Sequence, residues 1–295
     1  MAINTPTAPF AVPGRLALLR LSGFPTIPAA ILVGIGLLAI FAELVAPYNP
    51  EIGTLGDRFR PPFWQAGGSD AHLLGTDHLG RDVLSRLIFG ARVSMIVGIT
   101  AVMIAGVTGT VLGIISGYLG GWVDQAIMRL TDTWLALPAL TFAIFLAAVV
   151  GPSELNIIVI LGLVYWTRYA RVIRGEVLSL KEREFVRLAI VAGCSKRTIM
   201  IKHILPNVIN SAIVLATLMI GVVIISEASL SFLGVGTQPP TPSWGLMLSS
   251  SGRAFMEQAP WLALFPGLAI SLAVLGFNLF GDTLRDAWDP KLRRG

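Results

Sequence analysis

Charge is what this sequence has least of. Of its 295 residues only 13% are Asp, Glu, Lys or Arg, whereas 54% are hydrophobic; an average soluble domain carries about 25% charged residues. So few charges cannot cover the surface of a soluble domain of this size, which excludes an ordinary cytosolic enzyme and a disordered chain. The net charge of +5 does not indicate a nucleic-acid partner either, because the polar surface that would carry a basic patch is largely missing. Cysteine is also scarce. Cys194 stands alone, so neither an intrachain disulfide nor a cysteine metal cage can form, and it reads as a small packed residue. His72, His78 and His203 are too scattered for a zinc helix motif. None of Lys181, Lys196, Lys202 and Lys291 follows a glycine, so the phosphate-cradling G-x4-G-K-[ST] loop is absent. No G-x-S-x-G nucleophile elbow occurs.

What is abundant is uninterrupted apolar sequence. A bilayer core of about 30 Å needs about 20 apolar residues in a helix, and six segments approach this: 27–46, 93–115, 133–150, 155–169, 207–226 and 261–281. The fourth is the weakest, because its apolar run is short before Arg168. Pro138 and Pro266 do not veto spanning helices, since neighbouring helices can satisfy the freed carbonyls. The first segment is too long for a signal-peptide core and is followed by Pro47, so it reads as an uncleaved helix. The fold expected is an all-α integral membrane protein with six transmembrane helices. With the N-terminus inside, the inner segments hold 16 of the 22 Lys and Arg and the outer segments 6, which places both termini in the cytoplasm. The resulting division is an N-terminal tail 1–26, a first helix 27–46, an outer segment 47–92, a five-helix core 93–281 with an inner loop 170–206 and an outer loop 234–260, and a C-terminal tail 282–295.

The loops hold the remaining signals. From Asp82 the pattern Val83, Leu84, Leu87, Ile88, Ala91 has helical spacing and predicts a surface helix leading into the second span. Asp77, Arg81, Asp82 and Arg86 are expected to form an ion-pair network there. Glu227, near the outer end of the fifth span, reads as structural or gating, capping a helix or pairing with an Arg such as Arg92. Asp132 is expected to begin the third span, where a carboxylate suits a helix N-terminus. Trp244 and Trp261 suit the interfacial belt. Gly109, Gly113 and Gly117 are four apart, a spacing that lets helix backbones approach closely. In the inner loop, Phe185, Leu188, Ala189 and Ala192 share one helical face. Gly193 suits the left-handed stop of that helix. Ser195 can cap a second helix, 196–205, that Pro206 ends. Periodicity alone supports equally a docking handle for a soluble partner and a solvated basic loop that sets topology.

That loop resembles the cytoplasmic signature of the permease subunits of binding-protein-dependent ABC importers: E-A-A, three residues, Gly, nine residues, I-x-L-P. Ala189, Gly193, Leu205 and Pro206 match it, and Arg187, Leu188 and His203 depart from it. The run 74–86, LGTDHLGRDVLSR, is similar to the G-T-D-x-x-G-R-D-x-x-S-R segment of the dipeptide, oligopeptide and nickel permeases. Residues 227–234, EASLSFLG, the PPTPSWG run at 239–245 and the ending 278–290 resemble the same group, specifically its second, C-type permease. The resemblance implies the type I importer permease architecture and a subunit that is not itself an enzyme. It implies a heterodimer with a homologous permease, two cytoplasmic ATPases carrying ATP and magnesium, an extracytoplasmic solute-binding protein, and no cofactor on this chain. The loop would then be the coupling helix. Phe185, Leu188 and Ala189 would fill an ATPase groove, Arg183 and Arg187 would meet its acidic rim beside Glu184, and Gly193 would permit the bend before Leu205 and Pro206. Peptides are the substrate class implied, with nickel chelates or glutathione as alternatives; an ion-coupled carrier is the alternative of a different class, but four of the spans hold no charge to couple an ion. On this reading Gly193→Asp or Ala189→Asp uncouples uptake from ATP hydrolysis while the chain still inserts, as measured by transport at matched expression.

Overall fold

The computed structural model describes residues 26–288. The two tails and the Asp289-Pro290 end of the last motif therefore lie outside the described residues. Within them the elements are helical: α1 (Thr26–Ile40), α2 (Ala42–Val45), α3 (Val83–Leu119), α4 (Gly121–Leu135), α5 (Ala139–Val150), α6 (Glu154–Lys181), α7 (Glu184–Val191), α8 (Lys196–Thr198), α9 (Leu205–Phe232), α10 (Trp244–Met247) and α11 (Trp261–Trp288). Two wide π turns, Ile199–Ile204 and Leu248–Arg253, join α8 to α9 and extend α10. One isolated bridge, Thr76 to Asp82, is the extended pairing seen among the described residues.

Four helices are long and apolar enough to cross a membrane: α3, α6, the run from α8 through α9, and α11. The pair α4–α5 makes a fifth if counted as one broken span, and α1 is shorter. Several boundaries differ from the sequence expectation, each for a local reason. The expected surface helix and second span are one 37-residue helix, α3, whose first turn is capped by Asp82 accepting from the Ser85 amide at 2.8 Å. The first span is interrupted at Phe41, between α1 and α2. The third span is not a single helix from 133. α4 begins at Gly121, the chain breaks at Ala136–Pro138, and α5 leaves at 88°. Proline lacks the N–H a continuing helix needs, and it disfavours helical geometry in the residue before it. Asp132 therefore lies in the last turn of α4, not at a helix start. Pro206, expected to end a helix, instead sits in the first turn of α9. The wide turn before it bonds the Leu205 amide to the Met200 carbonyl, five residues back. Proline's missing donor then coincides with a change of register, and the Asn207 side chain takes up the His203 carbonyl at 2.6 Å.

The centre of the bundle is α3 against α6. Ala101, Ala105, Gly109, Gly113 and Gly117 recur every fourth residue along α3, and all are buried. A Cβ on Gly109 would lie 2.3 Å from the Trp166 carbonyl oxygen, and one on Gly113 would lie 2.8 Å from that of Ala170. The contact is backbone to backbone and leaves no room for a methyl group. The packing expected of these glycines is what the structure has. α5 and α9 complete this core through Ala143, Ala147, Met219 and Val223. A second cluster joins α1, α3, α10 and α11 around Trp244 and Trp261.

Gly113→Val is expected to force α3 and α6 apart and cost about 1–3 kcal/mol or more. Gly175→Ala on α6, where an added Cβ meets nothing within 4 Å, is expected to be neutral. Thermal unfolding of the two detergent-purified variants checks the difference.

Candidate partner-docking elbow

The elbow is built from three short devices. α7 starts after Arg183, which lies extended, and carries Glu184 in its first turn, where a carboxylate favours the amide ends. It stops at Gly193, whose φ of +79° is left-handed. There the Cys194 amide donates to the Ala189 carbonyl at 3.1 Å and the Gly193 amide to that of Ile190 at 3.0 Å, the paired bonds of a Schellman stop. Ser195 then caps α8 by accepting from the Thr198 amide at 3.2 Å.

The two faces of α7 have different fates. Val186 and Ala189 are buried and pack with Ile199, Ile204 and Val208 onto Ile114 and Tyr118 of α3 and Ile173 and Val177 of α6. Phe185, Leu188, Ile190 and Val191 face outward, with Leu188 61% and Val191 84% exposed. The periodicity grouped Ala189 with Phe185 and Leu188; the structure separates them, because the elbow needs an apolar face of its own to hold it on the bundle. Arg187 is exposed and donates to Glu182 at 2.5 Å. Leu205 and Pro206 lie at the root of α9 and do not share the exposed ridge.

The helices that carry the elbow are tied to their neighbours by charged bonds. Lys181 donates to the Tyr118 carbonyl at 2.9 Å, tying the end of α6 to that of α3. Arg174 of α6 grips Asp124 of α4 with two bonds of 2.5 and 2.6 Å, and Ser116 of α3 donates to the same carboxylate. Asp132 accepts from Arg171 at 2.5 Å. Ser211 of α9 donates to Glu176 of α6 at 3.1 Å. These bonds join the ends of α3, α4, α6 and α9 beside the elbow to one another.

The opposite end of the bundle holds the other charged candidates. Asp77 accepts from the Leu79 and Arg81 amides and from the Arg81 side chain at 2.7 Å, with Arg86 at 3.7 Å. Arg86, fully buried, also donates to the Pro50 carbonyl. Asp82 meets His72 at 3.0 Å. Asp77, Arg81 and Arg86 are thus brought together as one folded knot at the start of α3, whereas Asp82 joins neither arginine and instead meets His72 and caps α3. His78 bonds Ser251 at 2.9 Å, and burial holds its imidazole below the ordinary range against the opposing pull of Asp77. Trp261 donates to the Thr76 carbonyl and pins this knot to α11, and Trp244 donates to the Leu87 carbonyl and pins the start of α3 to α10. Glu227 is fully buried and accepts from Ser94 of α3 at 3.2 Å and from Ser231 at 2.7 Å. It does not pair with Arg92, which reaches Glu43 and the Ala39 carbonyl instead. Ser231, one turn from Glu227, was readable from spacing; Ser94, His72 and the Asp124–Arg174 pair carry no local signal.

Residues 109–294 match the family described as binding-protein-dependent transport system inner membrane component. The chain belongs to that family. It is a multi-pass component of the inner membrane. It is 49% identical over 257 residues to the dipeptide transport system permease protein DppC of Escherichia coli K12, covering 87% of this chain and 85% of that one. It is 45% identical over 256 residues to the glutathione transport system permease protein GsiD of Escherichia coli O6:K15:H31, covering 87% and 82%. The DppC of Alkalihalophilus pseudofirmus is 43% identical over 257 residues, covering 87% and 82%. The family match spans the chain from the last third of α3 onward and includes the elbow.

Val186→Asp and Ala189→Asp are expected to detach the elbow, while Leu188→Asp leaves it seated. Amide hydrogen exchange across Glu184–Val191 in the purified chain distinguishes them: it accelerates in the first two variants and is unchanged in the third.

Proposed function

We propose that this chain is the C-type permease subunit of an ABC importer that carries dipeptides and short oligopeptides across the inner membrane. The observation that carries this reading is the elbow: an apolar ridge left exposed on a helix that is otherwise fixed to α3, α6 and α9. The 49% identity to a dipeptide permease supplies the substrate class. The 45% identity to a glutathione permease favours glutathione, itself a small peptide, as the second reading.

In this reading α1, the bent pair α4–α5 and the four long helices make six spans, with both termini and the elbow in the cytoplasm. Two ATPase subunits bind ATP and magnesium, and this chain binds neither. Phe185 and Leu188 enter a groove on one ATPase, and Arg183, Glu184 and Arg187 meet its rim. Ala189 seats the helix on the bundle, Gly193 makes its stop, and Leu205 and Pro206 join it to α9. Closure of the ATPase pair then moves α7 as a rigid body, and α3, α6 and α9 move with it. A homologous permease completes the pathway. The knot of Asp77, Arg81, Asp82 and Arg86 faces the extracytoplasmic solute-binding protein, and Glu227 fixes α9 to α3 beneath it. Asp132 braces α4 against α6.

Leu188→Asp is expected to abolish copurification of the ATPase subunits and dipeptide uptake, while the chain still inserts. Affinity capture of the complex and uptake of a radiolabelled dipeptide in the same cells measure both. Wild-type uptake by this variant overturns the docking role. Uptake of glutathione but no dipeptide by the wild-type complex selects the second substrate.

A further inference from the structure

The outer segment is rich in charge, with five arginines and five carboxylates between 48 and 92, yet residues 61–69, PPFWQAGGS, hold none. The fold makes this stretch a braced tip. The Phe63 amide donates to the Leu73 carbonyl at 3.2 Å and the Thr76 amide to that of Arg60 at 2.9 Å, which closes its base. Two turns shape its end: the Gln65 amide donates to the Pro62 carbonyl and the Gly68 amide to that of Gln65, both at 2.9 Å. Two aromatic rings stand out from it, Phe63 51% and Trp64 54% exposed, crossed edge to face at 5.1 Å. Bare aromatic surface on a braced tip marks a place that meets a partner.

Where the tip reaches decides which partner. Trp64 packs edge to face on Phe265 of α11 at 6.1 Å. Phe265 is one turn past Trp261, about 6 Å inside the outer end of the sixth apolar run. The first apolar run agrees on that end. Gly276 of α11 faces Ile31 and Leu32 of α1, and counting outward from this contact brings the end of the first run, at 46, level with the start of α11. Leu84 and Leu87 of α3 line an apolar groove with Leu38 and Leu272, so α3 too has apolar surroundings before Arg92. Beside Phe265, α11 exposes Leu264, Leu268, Leu272, Leu275 and Leu279 on one face. Ser271, next to this stripe, returns its hydroxyl to the Gly267 carbonyl, so nothing there asks for water and the stripe suits hydrocarbon. Trp244 and Trp261, whose sequence positions suit the interfacial belt, are only 2% and 7% exposed, and both indoles donate to backbone carbonyls. Trp64 is the tryptophan left open at this depth.

We propose that the tip 61–68 anchors the outer segment in the bilayer, with Phe63 and Trp64 seated at the outer headgroup boundary beside α11. Aromatic rings favour that layer. The occupant is lipid because the tip lies against a spanning helix below its outer end and borders the leucine stripe, where a water-soluble partner does not reach. Trp261 then holds the knot to α11 from one side and the immersed tip steadies it from another. The inference rests on the chain being an inner-membrane component and is independent of the peptide reading.

The test uses the chain with its copurified subunits in proteoliposomes. In a Cys194→Ser background, Phe63→Cys or Ala66→Cys carries a fluorescent NBD label attached before assembly, and Glu51→Cys, an exposed position elsewhere in the outer segment, serves as reference. Quenching is read with aqueous iodide, with lipid spin-labelled near the headgroup and with lipid spin-labelled near the chain end. Insertion by about 5–10 Å predicts that both tip labels are quenched most by the shallow lipid label and least by iodide, with the reverse order at the reference. Iodide quenching of both tip labels equal to the reference overturns the inference, since the tip is then in water. Protection of both from iodide and from both lipid labels also overturns it, since another subunit then covers the tip.

Discussion

The close approach of α3 to α6 is the constraint on which the rest of the structure depends. Five small residues at every fourth position let the two backbones touch, and no side chain separates the Gly109 and Gly113 positions from the carbonyls of α6. In a membrane there is little hydrophobic force between helices, so such contact packing is a main source of association. Because the pair is fixed, everything hung on either helix has a defined position. The elbow seats on Ile114, Tyr118, Ile173 and Val177 at one end. The knot around Asp77 and Asp82 caps the start of α3 at the other. Glu227 and Ser94 tie α9 to the same rod.

The charged residues divide by environment. Around Asp77 they are buried and hydrogen-bonded, Asp77 to two backbone amides and the Arg81 guanidinium, and Arg86 to the Pro50 carbonyl. That is the condition under which buried charge is tolerated, and it makes this segment a folded unit and not a flexible loop. At the elbow end, Arg187 and Glu182 are exposed, and surface pairs of this kind contribute little to stability.

The helical class, the approximate spans and the glycine seam were legible in the sequence because they rest on local composition and on the i, i+4 period. The Gly193 stop and the Ser195 cap were legible for the same reason: each is set by one residue's backbone preference. What was not legible depends on contacts across the chain. The inward turn of Ala189 follows from the apolar patch that α3 and α6 present, and periodicity within eight residues cannot say which side of a helix meets it. Proline at 206 and at 138 gave opposite outcomes, continuation and an 88° break, because the first follows a turn that had already changed register. One of the two partners of Glu227, Ser94, lies 133 residues away in sequence, and Arg92, the cation expected to pair with it, is taken by Glu43.

The wide turn Ile199–Ile204 has a further consequence. A π turn holds about one residue more than the α turn it replaces, so the azimuth of the elbow about the α9 axis is set by a residue count. Removing one residue from this stretch would restore the ordinary register and swing α7 by about 100° around α9, carrying the Leu188 ridge off its present side. The orientation of α7 is therefore encoded as length, and a single in-frame deletion would turn its exposed ridge while leaving every residue of that ridge in place.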